Sequence, residues 1–527
     1  MQILIAEPLS DAAVKLLEAQ PGWSVVVSNP RDYAAHLAIA DALIVRSAVM
    51  VNAAVLAKAP KLRVIGRAGV GVDNIDLPAA TAAGVLVMNT PGGNAASVAE
   101  HTLALMLSLA RSIPRASVST KSGKWEKKKF LGTELRGKTL GIVGLGSVGR
   151  EVVKRAAAFE MRIMAADPYV NPQTAKDAGV ELVDLPALYE QSDYITLHTA
   201  LTRESRRMLS RDAFARMKPG VRIVNCARGE LIDEEALKEA LASGKVAGAA
   251  LDVFEKEPPS PDDPMLGMEN LIATPHIGGA TEEAQEIVGL RIAEQIVEYL
   301  QNGVALNAVN MPALTAEQYK TLGPYSHLAE RLGNFVSYLS TGNPKAVRLV
   351  YFGKIAEHNT HLVRNAALAG VLQRSLARKA NAVNAMQIAD DRGLMVEERH
   401  DKRVAHTDSV RLELETDTGV NSVEGAVVLD QPRLIQVDGI YCETTLDGNL
   451  TFLMNRDVPG VIGHIGVVLG KNGINIATFS LGRRSAGEEA VAIIETDQPV
   501  PEKVLAELRE NPAVKVARSV KFSSLVP

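Results

Sequence analysis

The chain has 527 residues, which is too long for one hydrophobic core, and the usual domain size predicts three or four domains. A hydrophobic content of 47%, a charged content of 22% and a formal net charge of −4 are ordinary for a globular protein and favour neither a nucleic-acid nor a membrane partner. Two cysteines far apart in sequence favour a reducing compartment. Because Met1–Ile5 reads as a strand without a basic leader, we expect a cytoplasmic protein.

The amino-terminal region alternates short apolar strands with helices, which predicts a parallel sheet covered on both faces. Ligands bind beyond the carboxyl ends of such strands, where Arg46 and the loop from Arg67 to Asn74 fall. Each arginine alone could be a solvated surface residue. The glycines of the loop favour a site, because bare backbone can approach a small anion. We therefore expect the substrate to contact Arg46, Arg67, Gly69 and Val70.

A basic segment from Lys121 to Lys129, with Trp125 at its middle, follows the long helix predicted for residues 94–111. Most runs of charge are solvated faces. The alternative hypothesis is that Lys127, Lys128 or Lys129 attracts a phosphorylated substrate, across a dimer or within one chain.

A dinucleotide fingerprint follows the buried strand predicted for residues 139–143. Gly144 permits the tight turn, Gly146 lets a pyrophosphate approach the backbone, and Gly149 lets helix and strand pack closely. The anion would lie on the free N–H groups near Ser147 and Val148. Asp167 ends the next strand about 20 residues later, where a carboxylate binds a ribose 2′-hydroxyl and repels a 2′-phosphate. The pattern predicts NAD rather than NADP.

Four more strands are predicted, at residues 194–198, 222–226, 246–251 and 270–274. Each is followed by polar or small residues at the edge of the sheet that faces the ligand. The residues expected to complete the cofactor site are Thr199, Cys226, Ala227, Arg228, Asp252, His276, Ile277, Gly278 and Gly279.

Three residues after these strands can form a reaction centre. His276 is suited to proton transfer, and Glu257 would favour its imidazolium form and orient the ring. Arg228 can hold a carboxylate with two hydrogen bonds. Together they suit hydride removal from an α-hydroxy acid, with no metal required. His101, His198 and His464 are interpreted as structural, since most histidines are.

The carboxyl-terminal 220 or so residues contain no second fingerprint. Residues 304–450 read as an α+β domain, with a strand at 347–352 and a helix from His361 to Arg378. Residues 451–527 show the strand and helix order of a ferredoxin-like βαββαβ fold. In that fold we expect Asp457, after the first strand, to face Asn475, before the second.

Four motifs in register resemble the D-isomer-specific 2-hydroxyacid dehydrogenases: residues 144–149, 225–230, 252–258 and 274–279. The resemblance covers residues 1 to about 303. It implies a Rossmann-type NAD domain (98–282) inserted in a flavodoxin-like substrate domain (1–97 and 283–303), and it assigns Arg228, Glu257 and His276 the roles given above. The remainder of the chain resembles an intervening domain (304–450) and an ACT domain (451–527).

Within that family, residues 67–74 and 125–130 and the carboxyl-terminal module resemble the members that oxidise 3-phosphoglycerate to 3-phosphooxypyruvate, the first step toward L-serine. A rival reading is a dehydrogenase of 2-hydroxyglutarate, glyoxylate or another unphosphorylated acid. Another is an NAD-sensing corepressor with no metabolic role, against which the ACT-like tail argues.

The tail resembles ACT domains, which bind amino acids where two copies pair. The resemblance implies that serine is an effector and that Asn455, Asp457 and Asn475 contact it. It further implies a regulatory intervening domain and a homotetramer or homodimer.

Overall fold

The computed structural model describes residues 1–375, 380–403 and 407–522. It contains two parallel sheets, one mixed sheet and one antiparallel sheet in the order of the chain. The predicted α/β fold class, with a Rossmann-type domain, an α+β domain and a ferredoxin-like domain, is confirmed. No helix among the described residues is both long and apolar enough to cross a membrane.

The first sheet is parallel, with the strand order β2-β1-β3-β4-β5. This is the flavodoxin-like order, and apolar residues fill both faces because helices cover both. Its elements are β1 (Gln2–Ile5), α1 (Asp11–Glu18), β2 (Ser24–Val27), β3 (Ala42–Val45), α2 (Ala53–Ala57), β4 (Val64–Arg67), α3 (Leu77–Ala82) and β5 (Leu86–Met88).

The second sheet is parallel, with seven strands in the order β12-β11-β10-β9-β6-β7-β8. The order reverses between β6 and β9, and dinucleotides bind at such a switch point. Its elements are α4 (Ala95–Arg111), α5 (Ile113–Lys121), β6 (Thr139–Val143), α6 (Ser147–Ala158), β7 (Arg162–Ala166), α7 (Pro172–Asp177), β8 (Glu181–Leu182), α8 (Leu185–Gln191), β9 (Tyr194–Leu197), α9 (Arg211–Arg216), β10 (Val221–Asn225), α10 (Glu234–Ala242), β11 (Val246–Leu251) and β12 (Leu271–Ala273).

Helix α11 (Glu282–Asn302) then returns the chain to the first sheet. Its buried Ile292 and Ile296 join the core formed by Ile3 and Ile5. A Cβ added to Gly66 in β4 would collide with Ile292, so this glycine lets the helix approach the sheet closely. The chain therefore passes between the two parallel sheets twice, and the carboxyl edges of both sheets supply the site described below.

The third sheet is mixed, with the order β14-β13-β15-β16-β17-β18. Helix α12 begins with a capping box between Thr315 and Gln318 and packs on α13 and on this sheet. Of the predicted helix 361–378, the structure places His361–Leu372 in α13, and residues 376–379 lie outside the described part. The elements are α12 (Ala316–Leu339), β13 (Pro344–Phe352), α13 (His361–Leu372), α14 (Ala385–Asp391), β14 (Met395–Asp401), β15 (Ser409–Thr416), β16 (Val420–Val428), β17 (Gln431–Val437) and β18 (Ile440–Thr445).

The fourth sheet is antiparallel, with the order β20-β21-β19-β22. Two helices cover one face, and the other face shares a core with α12, where the rings of Phe335 and Phe452 meet edge to face at 6.1 Å. The last two domains are therefore packed as one body. The elements are β19 (Asn449–Arg456), α15 (Val461–Lys471), β20 (Ile476–Arg483), β21 (Glu489–Thr496), α16 (Glu502–Arg509) and β22 (Val514–Lys521).

Candidate active site

The imidazole of His276 and the carboxylate of Glu257 are in direct contact at the carboxyl edge of the second sheet. The Nδ1 atom of His276 lies 2.7 Å from a Glu257 carboxylate oxygen. This hydrogen bond raises the pKa of His276, against the lowering effects of burial and of nearby Arg228. Burial alone would raise the pKa of Glu257, but the His276 contact outweighs it and lowers that pKa. The pair therefore favours a charged imidazolium beside a carboxylate, with Nε2 left for the substrate.

A buried aspartate holds the backbone that carries His276. Asp252 follows β11, is 1% exposed, and accepts hydrogen bonds from the N–H groups of Ile277 and Gly278 at 2.9 and 2.8 Å. The N–H of His276 donates to the backbone carbonyl of Asp252, and His276 itself takes a left-handed φ of 54°. Burial would raise the pKa of Asp252, yet its hydrogen bonds, including that of His101, outweigh burial and lower it. Asp252 is thus a buried anion that fixes the turn.

Arg228 forms an ion pair that joins the two parallel-sheet regions. It follows β10, and its Nε and Nη2 atoms lie 3.0 and 2.9 Å from the Oδ2 atom of Asp73, in the loop after β4. A Cβ added to Gly71 would collide with the Arg228 guanidinium, so this glycine makes room for it. A substrate carboxylate would replace Asp73 as the partner of this guanidinium fork. Nothing in the sequence pattern had singled out Asp73 for this contact, although it lies in the predicted substrate loop.

Arg46 and Arg67 lie together beyond the carboxyl ends of β3 and β4. Burial lowers the pKa of Arg67, and the charges of Arg228 and Arg46 lower it further, while Glu7 and Asp73 oppose them. Glu7 is 6% exposed and accepts the backbone N–H groups of Arg46, Ala48 and Val49, which fixes the start of the loop. Three guanidinium groups, those of Arg46, Arg67 and Arg228, therefore lie near one another, against the carboxylates of Glu7 and Asp73.

Gly69 makes room for the Arg67 side chain, because a Cβ at this position would collide with the Arg67 guanidinium. Contact of Gly69 with the substrate stays a prediction. Val70 is partly exposed beside it, and the carbonyl of Val70 accepts a hydrogen bond from Asn89. Glu7 was missed by sequence reasoning, although its position directly after β1, at the ligand-facing edge, was a usable signal.

The fingerprint loop has the shape that a dinucleotide requires. Gly144 has a φ of 92°, and a Cβ on Gly149 would collide with the carbonyl of Gly144. A Cβ on Gly146 would meet open space, on the side where the first N–H groups of α6, from Ser147 and Val148, have no acceptor within the helix. The chain thus provides a cradle for a pyrophosphate.

Asp167 lies beside the same loop, as its distance from the glycines predicts. Its carboxylate accepts the N–H of Leu145 at 2.7 Å and the N–H of Tyr169 at 2.9 Å. These bonds orient it while leaving lone pairs for ribose hydroxyls. A carboxylate at this position therefore fits NAD, whose ribose hydroxyls can donate hydrogen bonds to it.

The other predicted cofactor residues lie at the ends of neighbouring strands. Thr199 follows β9, Cys226 and Ala227 follow β10, and Ile277, Gly278 and Gly279 form the turn after β12. Burial raises the pKa of Cys226 to about 12, so its thiol is neutral and inert at neutral pH. His198 is half-buried and contacts the hydroxyl of Thr196, and desolvation lowers its pKa to about 3, in keeping with a structural role.

The basic segment lies on the surface. Lys127–Phe130 is one short 3-10 turn, in which Lys129 pairs with Glu126 at 2.7 Å and Lys127 lies over the ring of Trp125. Within this chain these contacts fit a solvated face, and the attraction of a phosphorylated substrate stays a hypothesis.

The three residues expected at the effector site do not meet within one chain. Asn455 is buried, and its Nδ2 donates to the carbonyl of Arg456 at 2.8 Å. Asp457 pairs with Arg483, which lowers the pKa of Asp457, and Asn475 bonds Asp497. The prediction that Asp457 faces Asn475 is wrong, because β19 and β20 both run antiparallel to β21 and so run parallel to each other. The end of one and the start of the other therefore lie at opposite edges of the sheet.

Replacing Glu257 with Gln should move the pH profile of substrate oxidation toward lower pH. The hydrogen bond from Glu257 is the largest cause of the raised pKa of His276, so its loss lets that pKa fall. Oxidation needs neutral imidazole, and kcat/KM therefore rises as pH rises through this pKa. The measurement is kcat/KM for NADH formation against pH. A profile that keeps its wild-type position would show that another group titrates.

Replacing Asp167 with Ala should relax the preference for NAD over NADP. The carboxylate lies beside the fingerprint loop, where we expect the ribose hydroxyls to bind, and its charge would repel a 2′-phosphate. The measurement is the ratio of kcat/KM for the two cofactors. Asp177, at the exposed end of α7, gives a matched control when replaced by Ala. An unchanged ratio in the Asp167 variant would contradict the prediction that Asp167 binds the ribose hydroxyls.

Sequence comparisons match three family descriptions along the chain. The D-isomer specific 2-hydroxyacid dehydrogenase NAD binding domain matches residues 103–278, the D-3-phosphoglycerate dehydrogenase intervening domain matches 321–438, and the ACT domain matches 449–513.

Similar proteins extend over nearly the whole chain. A D-3-phosphoglycerate dehydrogenase of Methanocaldococcus jannaschii is 44% identical over 98% of each chain, and one of Bacillus subtilis is 38% identical over 97% of this chain and 98% of that one. Among solved structures, the TT0316 protein from Thermus thermophilus is 35% identical, with a TM-score of 0.54 over 59% of this chain and 100% of its own. D-lactate dehydrogenase from Escherichia coli is 29% identical, with a TM-score of 0.53 over the same shares.

Proposed function

The chain belongs to the D-3-phosphoglycerate dehydrogenase family, and we propose that it catalyses the oxidation of 3-phospho-D-glycerate to 3-phosphooxypyruvate, the first step of L-serine biosynthesis. It is an NAD-dependent oxidoreductase of the D-isomer-specific 2-hydroxyacid class. The observation that supports the assignment best is the contact of His276 with Glu257 beside Arg228, at the sheet edge that carries the fingerprint.

In the proposed reaction, separate residues bind the substrate, remove its proton and stabilise the charge that results. Arg228 exchanges Asp73 for the substrate carboxylate, and Arg46 and Arg67 hold the phosphate. His276 takes the proton of the C2 hydroxyl at Nε2, and the C2–O bond becomes a carbonyl as hydride leaves C2. NAD, when bound, accepts that hydride. Glu257 stabilises the resulting imidazolium, which returns the proton when the reaction runs backward.

An absorbance assay of NADH formation tests this assignment. We expect kcat/KM for 3-phospho-D-glycerate to exceed that for unphosphorylated D-glycerate, because the arginine pocket binds a second anionic end. We expect it to exceed that for D-2-hydroxyglutarate as well, because a phosphate offers the guanidinium groups more charge and more acceptor oxygens than a second carboxylate does. A kcat/KM that is higher for D-2-hydroxyglutarate than for 3-phospho-D-glycerate would instead favour one of the other 2-hydroxyacid dehydrogenases. NAD binding without turnover of any 2-hydroxy acid would favour the corepressor.

In the proposal, the chain has four domains, and each has its own function. Residues 1–97 and 283–303 bind the substrate, 98–282 bind NAD, 304–450 intervene and 451–527 form the ACT domain. The ion pair of Arg228 with Asp73 spans the first two, so their closure brings the phosphate site of Arg46 and Arg67 together with Arg228 and His276.

The ACT domain is the basis for proposing serine as a small-molecule effector. Since Asp457 and Asn475 lie at opposite edges of one sheet, a serine held by both needs two copies of the chain, as a homodimer or homotetramer. The test adds L-serine to the assay with the wild type and with Asn475→Ala. Inhibition of the wild type that the variant loses supports the site; equal inhibition of both places the effector elsewhere.

We also propose a cytoplasmic location. Cys226 and Cys442 support it, since both are free thiols and disulfides are rare in the cytosol. The pattern fits a compartment that keeps thiols reduced.

A further inference from the structure

Two buried side chains, those of Glu7 and Asn74, join the loops that carry the two arginines of the substrate domain. The Arg46 loop (residues 46–49) follows β3, and the Arg67 loop (residues 67–74) begins at the last residue of β4. Glu7 follows β1, and Asn74 ends the Arg67 loop. Only 6% of Glu7 and 9% of Asn74 is exposed, and both side chains bind the backbone of the Arg46 loop.

The carboxylate of Glu7 accepts hydrogen bonds from three backbone N–H groups of the Arg46 loop. Its Oε1 atom accepts those of Arg46 and Val49 at 2.9 Å each, and Oε2 accepts that of Ala48 at 3.1 Å. A buried carboxylate is costly unless hydrogen bonds satisfy it, so Glu7 and the loop stabilise each other in one arrangement. Val49 is 2% exposed and anchors the end of this loop in the core.

Asn74 binds the same two ends of the Arg46 loop through their carbonyls. Its Nδ2 atom donates to the carbonyl of Arg46 at 2.8 Å and to that of Val49 at 2.7 Å. The backbone N–H of Val51 then donates to the carbonyl of Asn74 at 2.8 Å. A shift of the Arg67 loop is therefore transmitted to the Arg46 loop.

The two loops present guanidinium groups whose like charges oppose each other. Burial lowers the pKa of Arg67, the charges of Arg228 and Arg46 lower it further, and the charge of Glu7 acts in the opposite direction. The Nε atom of Arg67 is buried and has no hydrogen-bond partner among the described residues, so this donor suits an anion.

A phosphate bound by two arginines requires a defined separation between them. Several guanidinium donors bind one phosphate well only when their positions match its oxygens. A misplacement of about 1 Å in such a site can cost about 10²-fold in rate. The hydrogen bonds of Glu7 and Asn74 fix the backbone from which Arg46 and Arg67 project, and so they fix this separation.

We propose that Glu7 and Asn74 are positioning residues that set the preference of the enzyme for a phosphorylated 2-hydroxy acid over an unphosphorylated one. This inference rests on the proposed function, in which Arg46 and Arg67 hold the phosphate. Glu7 and Asn74 act through the backbone of the arginine loops and not through contact with the substrate. D-glycerate has no phosphate, so its oxidation does not depend on the separation of the two arginines.

Steady-state kinetics of NADH formation by full-length Glu7→Gln and Asn74→Ala tests the proposal. Gln keeps the size of Glu7 but replaces one acceptor oxygen with an NH2 group, which cannot accept a backbone N–H. Ala removes both donated bonds of Asn74. In each variant we expect the ratio of kcat/KM for 3-phospho-D-glycerate to that for D-glycerate to fall about tenfold or more, through a raised KM for 3-phospho-D-glycerate.

The value for D-glycerate shows whether the effect is confined to the phosphate. Its kcat/KM should stay within about twofold of the wild-type value in both variants. Where D-glycerate is not turned over, its competitive inhibition constant against 3-phospho-D-glycerate replaces kcat/KM in the comparison.

Two variants of the same domain are matched controls. Asn29→Ala removes an exposed side chain that also makes two hydrogen bonds, to Asp32 and Arg31. Glu18→Gln changes an exposed carboxylate at the end of α1. Both should keep the wild-type ratio, and unfolding temperatures check that all four variants are folded.

The outcomes separate this inference from the proposed function. A fall in the ratio in Glu7→Gln and Asn74→Ala, with the controls unchanged, supports the positioning role. A wild-type ratio in both, or an equal loss of kcat/KM for the two substrates, would overturn it, since an equal loss is what general damage to the fold produces. A wild-type protein that does not oxidise 3-phospho-D-glycerate would overturn the proposed function, and this inference with it.

Discussion

Replacing His276 with Asn should lower kcat for 3-phospho-D-glycerate oxidation by about 10²–10⁴-fold, the usual contribution of a positioned general base. Asn cannot accept the hydroxyl proton, but it tolerates the left-handed backbone that His276 adopts, at φ 54°. The turn held by Asp252 should therefore survive. We expect the Kd for NAD to stay close to its wild-type value, since that turn contributes backbone rather than the imidazole.

The matched control is His361→Asn, at the exposed start of α13, which should leave kcat unchanged. Steady-state kinetics gives kcat, and a fluorescence titration gives the Kd for NAD. A loss of kcat smaller than about tenfold would mean that another group removes the proton.

Replacing Arg228 with Lys should lower kcat/KM by about 10²–10³-fold, with KM for the substrate raised as well. Lysine keeps the charge but loses the planar fork that holds a carboxylate with two parallel hydrogen bonds. Nε and Nη2 of Arg228 already share one carboxylate oxygen of Asp73, Oδ2, and a substrate carboxylate in its place could take each nitrogen with a separate oxygen.

Arg207→Lys provides the control for this substitution. Arg207 makes a comparable ion pair, with Glu255 at 2.9 Å, and its side chain is 55% exposed. The Arg207→Lys variant should lose little activity, because an exposed ion pair contributes little to the stability of the fold. Equal losses in the two lysine variants would assign Arg228 a structural role.

Much of the catalytic region could be predicted because local patterns encode it. The fingerprint places Gly144, Gly146 and Gly149 on a strand, a turn and a helix whose geometry leaves few alternatives. Parallel strands end at one edge of a sheet, so residues that follow them, such as Arg228 and His276, converge even though many residues separate them.

Such local patterns could not predict contacts between elements that are distant in sequence. The pairing of Arg228 with Asp73 depends on how two sheets are placed, and no periodicity reports that. The wrong prediction for Asp457 and Asn475 has the same origin, because the order of the elements along the chain does not give the direction of the strands. β19 and β20 both run antiparallel to β21 and so parallel to each other, which places the end of β19 and the start of β20 at opposite edges of the sheet.

The most direct measurement for the central claim is a structure of the ternary complex with NAD and 3-phospho-D-glycerate. We expect the substrate C2 to lie about 3–3.5 Å from C4 of the nicotinamide, with its hydroxyl on Nε2 of His276 and its carboxylate on Arg228 in place of Asp73. A nicotinamide about 10 Å or more from that imidazole in the closed complex, beyond the reach of direct proton transfer, would contradict the assignment.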